Sequence, residues 1–224
     1  MTQIQLKALD KVYNSGKMKF HALKKIDLTI EEGELTAIVG PSGSGKSTIL
    51  NMITGIDRPT NGSVVINGVR IDNMKEDQLS RWRGENIGII FQFFQLFPTL
   101  TALENAMLPL DFARKGTVEE RRRTAKRNLE LVGLGDKLDN LPSELSGGEQ
   151  QRVAIARALA CDPKIIIGDE PTGNLDSKTE AVMFELLKKL NKQGKTVIYV
   201  THSKELAEKA GRRIVILDGR IANT

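Results

Sequence analysis

Two short segments of this 224-residue chain carry residue types suited to work on phosphate groups, and a third carries an unusual pair of glycines. The first is Gly40-Pro41-Ser42-Gly43-Ser44-Gly45-Lys46-Ser47, which fits the pattern of a glycine, four residues, then Gly-Lys-Ser/Thr. Glycines let the backbone curl until successive N–H groups converge on one anion. A helix starting where the loop ends aims the positive end of its dipole at the same anion. Lys46 supplies a point charge for the outer phosphates, and the Ser47 hydroxyl is a ligand for Mg²⁺. A dinucleotide fingerprint is excluded, because Thr48 stands where a third glycine would follow Gly43 and Gly45.

The second segment, Lys164-Ile165-Ile166-Ile167-Gly168-Asp169-Glu170-Pro171, sets two carboxylates at the end of an apolar run. In a parallel sheet the carboxyl ends of the strands face the ligand crevice. An Asp there can hold Mg²⁺, and a Glu beside it can orient and deprotonate a water. Alone, the pair would read equally as a charged turn; the phosphate-type loop elsewhere in the chain favours chemistry. The third segment, Leu145-Ser146-Gly147-Gly148-Glu149-Gln150-Gln151-Arg152, reads as a helix start. Ser146 caps it, Glu149 stands at the capping-box position, and Val153, Ala156 and Leu159 follow on one face. Two adjacent glycines in a first turn cost about 1 kcal/mol each against alanine. They make sense if something must approach that backbone closely.

This third segment resembles the signature motif of ABC ATPases, and the resemblance runs in order along essentially the whole chain. Gly40–Ser47 is similar to the family's Walker A loop, and Gln92, after the strand-like IGIIF, resembles its Q-loop glutamine. Ile165–Glu170 resembles Walker B, Asn174-Leu175-Asp176 the D-loop, and His202, after TVIYV, the switch histidine. Tyr13 falls where the family keeps an aromatic against adenine, although Phe20 is also near. Singly, Gln92 and His202 would read as surface polar residues and Tyr13 as strand packing; their order gives them weight.

The resemblance implies ATP and Mg²⁺ as cofactors. Tyr13, the loop Gly40–Ser47 and Thr48 would hold the nucleotide; Ser47, Gln92 and, through water, Asp169 would hold the metal. Glu170 would be the general base, with His202, Lys46 and Gln92 completing the catalytic set. The resemblance also implies a head-to-tail homodimer, in which Ser146, Gly147, Gly148 and Glu149 of one copy cover the ATP of the other. Asp176 would link the two sites. A separate integral membrane permease would be gripped by the Q-loop region and the helical block after it. For Phe93, Phe94 and Phe97, in the aromatic run Phe91–Pro98, core packing of the insertion and a permease-facing groove both remain open.

Gln95–Leu110 and Asp169–Thr179, with Thr172-Gly173-Asn174, are similar to a branch containing MacB, LolD and FtsE ATPases. That branch pairs with permeases of few membrane helices and a large external domain. The expected function is ATP hydrolysis that powers such a permease, in export of lipoproteins or peptides or in transmission of force. The alternatives are an ABC ATPase that regulates a membrane complex without moving substrate, or a soluble non-transport relative. Translation-factor relatives carry two such domains in a chain, and chromosome-organising relatives insert coiled coils or zinc sites. This chain has one domain, no heptad run and a single cysteine, so no nucleic acid partner is expected.

The elements needed to position these residues are legible as periodic patterns. Gln3–Leu9 and then Ile26, Leu28 and Ile30 alternate, as antiparallel strands with one wet face do. Short apolar runs at Leu35–Val39, 87–91, 164–168 and Thr196–Val200 predict buried strands. Ile49, Leu50, Ile53 and Ile56 predict one helix face, and Met183, Leu186, Leu187 and Leu190 another. Ser63–Ile71 alternates, and Ile214–Leu217 with Asp218-Gly219 predicts a closing hairpin. Thr101 with Glu104, like Ser146 with Glu149, has capping-box spacing. Strand–helix alternation implies an α/β fold with a mostly parallel sheet. An antiparallel β subdomain precedes it, and a helical block at about 93–160 is inserted. The resemblance makes this the P-loop NTPase (RecA-like) core of a single ABC ATPase domain over 1–224.

Composition is that of a globular protein, with 40% apolar and 27% charged residues. No run approaches a membrane-spanning helix, and the N-terminus does not read as a signal peptide. The lone Cys161 forbids an internal disulfide. The net charge of +5 gathers most densely at Arg121, Arg122, Arg123, Lys126 and Arg127, opposite Leu129 and Val132; this reads as a solvated helix face. A cytoplasmic location, peripheral at the inner face of the cell membrane, is expected.

Overall fold

The computed structural model describes residues 1–16, 18–173 and 175–222. Asn174, part of the D-loop-like and branch-typical segments, lies outside the described residues. The chain falls into two compact units, Met1–Arg83 with Thr196–Thr224, and Gly84–Lys195.

The first unit begins with a long antiparallel pair, β1 (Thr2–Ser15) and β2 (Met18–Glu31), whose inward residues include Ile4, Leu6, Leu9, Ile26, Leu28 and Ile30. A register shift between Leu6 and Leu9, with Ala8 left-handed at φ 43°, bends the ribbon. The next strand, β3 (Leu35–Val39), apolar but for Thr36, is buried from Leu35 to Ile38, as a strand covered on both faces must be. It leads through Gly40–Gly45 into α1 (Lys46–Thr54), which buries Ile49, Leu50 and Ile53. Gly55, at φ 64°, ends the helix in a left-handed cap. Ile56, expected on the helix face, therefore lies beyond it and is 47% exposed.

The alternation over Ser63–Ile71 is two strands rather than one. These are β4 (Asn61–Ile66) and β5 (Val69–Arg70), joined by Asn67 and Gly68 at φ 50° and 77°. Positive φ at both residues marks the hairpin turn that suits strand twist. With β1 and β2 they give an antiparallel sheet of order β2-β1-β4-β5. A helix the sequence patterns did not suggest, α2 (Glu76–Asn86), buries only Leu79 and so has no apolar stripe to reveal it.

The second unit begins within α2 and holds the parallel pair β6 (Ile87–Ile90) and β7 (Ile165–Asp169). Between them come α3 (Ala102–Phe112), α4 (Val118–Leu131) and α5 (Gly147–Ala158). Full capping boxes start α3 at Thr101 and Glu104 and α5 at Ser146 and Glu149, as their spacing predicts. A further box at Thr117 and Glu120 starts α4. Helix α4 turns Ala125, Asn128 and Leu129 inward and Arg122, Arg123, Lys126 and Arg127 outward, the solvated face expected, but Arg121 is only 17% exposed and pairs with Asp111 at 2.8 Å. Cys161 packs in the interior just past α5. Helix α6 (Ser177–Lys192) buries Met183, Phe184, Leu187 and Leu190; Leu186, expected inward, is half-buried.

The chain returns to the first unit with the fully buried β8 (Thr196–Val200), the short α7 (Lys204–Glu208), and the hairpin β9 (Arg212–Leu217) and β10 (Arg220–Ala222). These strands stand in the order β10-β9-β3-β8, with β3 parallel to both β8 and β9. Among the described residues no helix is long and apolar enough to cross a membrane.

Gly88 in β6 lies so close beneath α5 that an added Cβ would sit 2.3 Å from the Ala158 carbonyl oxygen. Gly88→Ala should therefore destabilise the protein by about 1–3 kcal/mol, read as a lower urea midpoint at unchanged slope.

Candidate functional site

The loop between β3 and α1 is held by its own backbone. An added Cβ at Gly40 would meet the Ile216 carbonyl oxygen at 2.1 Å, and one at Gly45 the Ala22 oxygen at 2.8 Å, so side chains are excluded at both. Gly45, at φ 107°, is also the N-cap of α1, and no side chain caps that helix. Its first turn carries no acidic residue either, so its N–H groups and positive end are left for an anion. Lys46 is 6% exposed and donates to the carbonyls of Gly40 at 3.0 Å and Pro41 at 2.9 Å. Pro41, Ser42, Gly43 and Ser47 are exposed, and Thr48 is half-buried. Ser44 turns inward: its hydroxyl is buried without a hydrogen-bond partner, and its N–H donates to Pro41.

Also in the first unit, Tyr13 is partly exposed and donates its hydroxyl to Asp57 Oδ2 at 2.9 Å, with Lys11 Nζ 4.7 Å from its ring centroid. Burial, then the Asp57 carboxylate, push its phenol above the ordinary value. Burial opposes ionisation of Asp57, but the Lys11 ammonium, the Arg58 N–H and the Tyr13 hydroxyl outweigh it and hold its carboxyl low. Phe20 stands directly across the hairpin from Tyr13 and is the more exposed ring. His202 is exposed just past β8 and lines, with Val39, Gly40, Thr201 and Ser203, an open hollow of about 290 Å³.

In the second unit, Gln92 Nε2 donates to Glu170 Oε2 at 3.0 Å. Asp169 ends β7, and Glu170 follows in a left-handed conformation at φ 47°. An added Cβ at Gly173 would come within 3.2 Å of Glu170 Oε2, so a larger residue there would crowd the carboxylate. At the start of α5, Ser146 N–H and Oγ–H donate to Glu149 Oε2 at 2.8 and 2.9 Å, and Glu149 N–H returns to Ser146 Oγ at 3.3 Å. These bonds hold the Glu149 carboxyl below its usual range. Gly147 is exposed. Gly148 has a reason internal to the chain: a Cβ there would lie 2.6 Å from the Thr179 methyl. Thr179 in turn donates through its hydroxyl to Asp176 Oδ2 at 2.7 Å and through its N–H to Oδ1 at 3.1 Å. Asp176 is thereby fixed just before α6.

A sequence profile described as ABC transporter matches residues 23–173. The chain is 48% identical to the solved dimeric structure of MJ0796, a bacterial ABC transporter cassette, with a TM-score of 0.92 and coverage of 98% of this chain and 97% of that one. The chain belongs to the ABC transporter family of ATP-binding, ATP-hydrolysing proteins. The same relative, from Methanocaldococcus jannaschii, has also been solved in a post-hydrolysis state bound to ADP and Pi, at 47% identity. The lipoprotein-releasing system ATP-binding protein LolD of Anaeromyxobacter dehalogenans is 44% identical over 97% of this chain and 92% of its own length. The macrolide export ATP-binding/permease protein MacB of Bdellovibrio bacteriovorus is 46% identical over 97% of this chain, which spans 33% of that longer protein.

Two contacts of this ABC ATPase were not foreseen in its sequence. Gln151, fully buried in α5, donates its amide to the Pro171 carbonyl just after Glu170. Arg157, near the end of α5, donates to the carbonyls of Gln95 and Phe94. A glutamine and an arginine in a helix are ordinary by type, and nothing local marks where they reach. Of the aromatic run, Phe93 is 72% and Phe97 52% exposed, and Phe94 turns toward Gly147.

Removing Lys46 takes away a buried charge fixed over the loop. Lys46→Ala should lower ATP affinity by at least about tenfold, the equivalent of 1.4 kcal/mol, in a titration with fluorescent ATP. Unchanged affinity would remove this loop from nucleotide binding.

Proposed function

We propose that the chain is the ATP-hydrolysing subunit of a membrane transporter, working as a head-to-tail pair with a second copy and driving a separate permease. The observation that carries this reading is the loop geometry: a buried lysine under a glycine-curled backbone, at a helix end with no cap of its own. That arrangement offers N–H groups and one fixed positive charge to the outer phosphates of ATP. Gly40, Pro41, Ser42, Gly43, Ser44, Gly45 and Thr48 contribute backbone or side-chain contacts, Ser44 through its backbone since its hydroxyl is buried. Tyr13 offers a ring to adenine.

Ser47, Gln92 and Asp169 would hold Mg²⁺, which when bound offsets charge on the phosphate oxygens. Among the described residues no three His, Cys, Asp or Glu side chains gather as a metal cage. That suits an ion which arrives with phosphates and keeps several waters, needing only one or two protein oxygens. The Gln92 amide nitrogen meets Glu170, so the group for the cation would be its side-chain oxygen. Glu170 takes the proton from the attacking water, while Lys46 and His202 stabilise charge that develops on the γ-phosphate.

The solved MJ0796 cassette is described as dimeric. In a pair of copies of this chain, Ser146, Gly147, Gly148 and Glu149 of one copy would cover the ATP of the other, and Asp176 would join the two sites. ATP then stabilises the closed pair by mass action. The names of the LolD and MacB relatives support a transporter of the export or lipoprotein-releasing kind. The chain acts as a single domain with a helical insertion near 93–160, in the cytoplasm and peripheral at the membrane face.

Glu170→Gln should slow ATP hydrolysis by about 10²–10⁴-fold in a phosphate-release assay while ATP still binds. Hydrolysis at the native rate would take Glu170 out of its role. With ATP, the same tagged variant should recover a permease with few spanning helices from detergent-solubilised source membranes. Recovery of soluble partners alone, from a folded and ATP-bound chain, would overturn the transporter reading.

A further inference from the structure

Phe94 and Gln95 are consecutive non-glycine residues in the left-handed region, at φ 53° and 50°. Such conformations cost of order 1–3 kcal/mol each and persist only where the surroundings impose them. The chain doubles back tightly here, since the Gln95 N–H reaches the Phe93 carbonyl across Phe94. The group that meets the exposed carbonyls of this turn is the Arg157 guanidinium. Its Nη1 donates to Gln95 O at 2.5 Å and its Nη2 to Phe94 O at 2.7 Å. Arg157 is half-buried, which lowers its pKa, and both bonds are charge-assisted.

The turn lies on a short covalent path between two surfaces of interest. Gln92, two residues before Phe94, donates to Glu170. Phe93 between them, and Phe97 just beyond, are exposed. The Phe94 ring comes within 3.8 Å of where a Cβ on Gly147 would be. Arg157 thus ties the turn to the end of α5, while the Phe94 ring lies near the first residue of that helix, about 15 Å away at a rise of 1.5 Å per residue.

We propose that Arg157 is a positioning residue for ATP turnover. By holding the Phe94–Gln95 turn in its left-handed form, it sets the place of Gln92 beside Glu170. It also makes the position of that glutamine depend on the helix that carries Ser146, Gly147 and Gly148. This rests on the functional reading above. Arginine matters here because Arg157 reaches the two carbonyls from separate nitrogens of one planar group, whereas lysine is one bond shorter and offers a single nitrogen.

The test compares the whole purified chain with Arg157→Lys, Gln95→Gly, the double variant and Gln95→Pro. Each is measured for thermal melting, ATP affinity and kcat, with Glu170→Gln alongside. Arg157→Lys should keep ATP affinity within about twofold and lose about tenfold to a hundredfold in kcat, the scale of a misplacement of about 1 Å. Adding Gln95→Gly, which removes the Cβ penalty of the left-handed turn, should restore part of that loss. A residue needed only for folding would show no such rescue. Gln95→Pro, whose ring fixes φ near −65°, should reproduce the loss with Arg157 intact; it keeps the proposal testable if Arg157→Lys does not fold.

Native kcat in folded Arg157→Lys or in Gln95→Pro, or a double variant no better than Arg157→Lys, would overturn the proposal. The parallel behaviour of the unmodified chain and Glu170→Gln reports separately on the ATPase reading. It stands if the first hydrolyses ATP and the second does not, whatever Arg157 does.

Discussion

A buried ammonium with only carbonyl dipoles to hold it is the constraint on which the phosphate loop depends. Lys46 loses its hydration on folding, and its hydrogen bonds go to Gly40 and Pro41 in the loop that precedes it. Desolvating a charge is costly unless partners surround it, so the loop must fold back over the lysine. It can do so only because Gly40 and Gly45 lack the atoms that would strike the Ile216 and Ala22 carbonyls. Carbonyl dipoles satisfy the lysine's donors without cancelling its charge. The site keeps a positive potential, reinforced by the uncapped end of α1. Affinity for an anion here is the remainder of a folding problem solved without a carboxylate.

In the second unit α5 plays the corresponding part. Its first turn receives Thr179 against Gly148, its middle holds the Pro171 carbonyl through Gln151, and its last turn grips the turn after Gln92 through Arg157. The segments that carry Glu170, Asp176 and Gln92 are thus attached to one rigid rod. Its own burial is nearly complete at Val153, Ala154, Ile155 and Ala156. A packed helix moves as a body, so the three segments share whatever displacement it makes.

Much of this was legible in the sequence because it is written in short-range patterns. The loop and the carboxylate pair are local motifs, the buried strands are unbroken apolar runs, and two of the capping boxes follow from spacing alone. Where the reading failed, the deciding interaction was not local or not apolar. Ile56 kept the helical period but fell past a left-handed glycine. Helix α2 had no stripe to detect, and the Asn67-Gly68 turn was hidden inside an alternation that continued on both sides. The close glycines of the signature segment did announce a close approach. For Gly148 the neighbour is Thr179, thirty-one residues along the same chain, a partner only tertiary structure could reveal.

The reciprocal cap on α5 carries a consequence for how that helix end can be used. Glu149 already sets a tethered carboxylate at this helix end, on the Ser146 N–H and hydroxyl. A second anion brought there meets a resident rival at very high local concentration. Its gain is reduced by the repulsion of that like charge, so the geometry favours an anion that arrives with other contacts behind it.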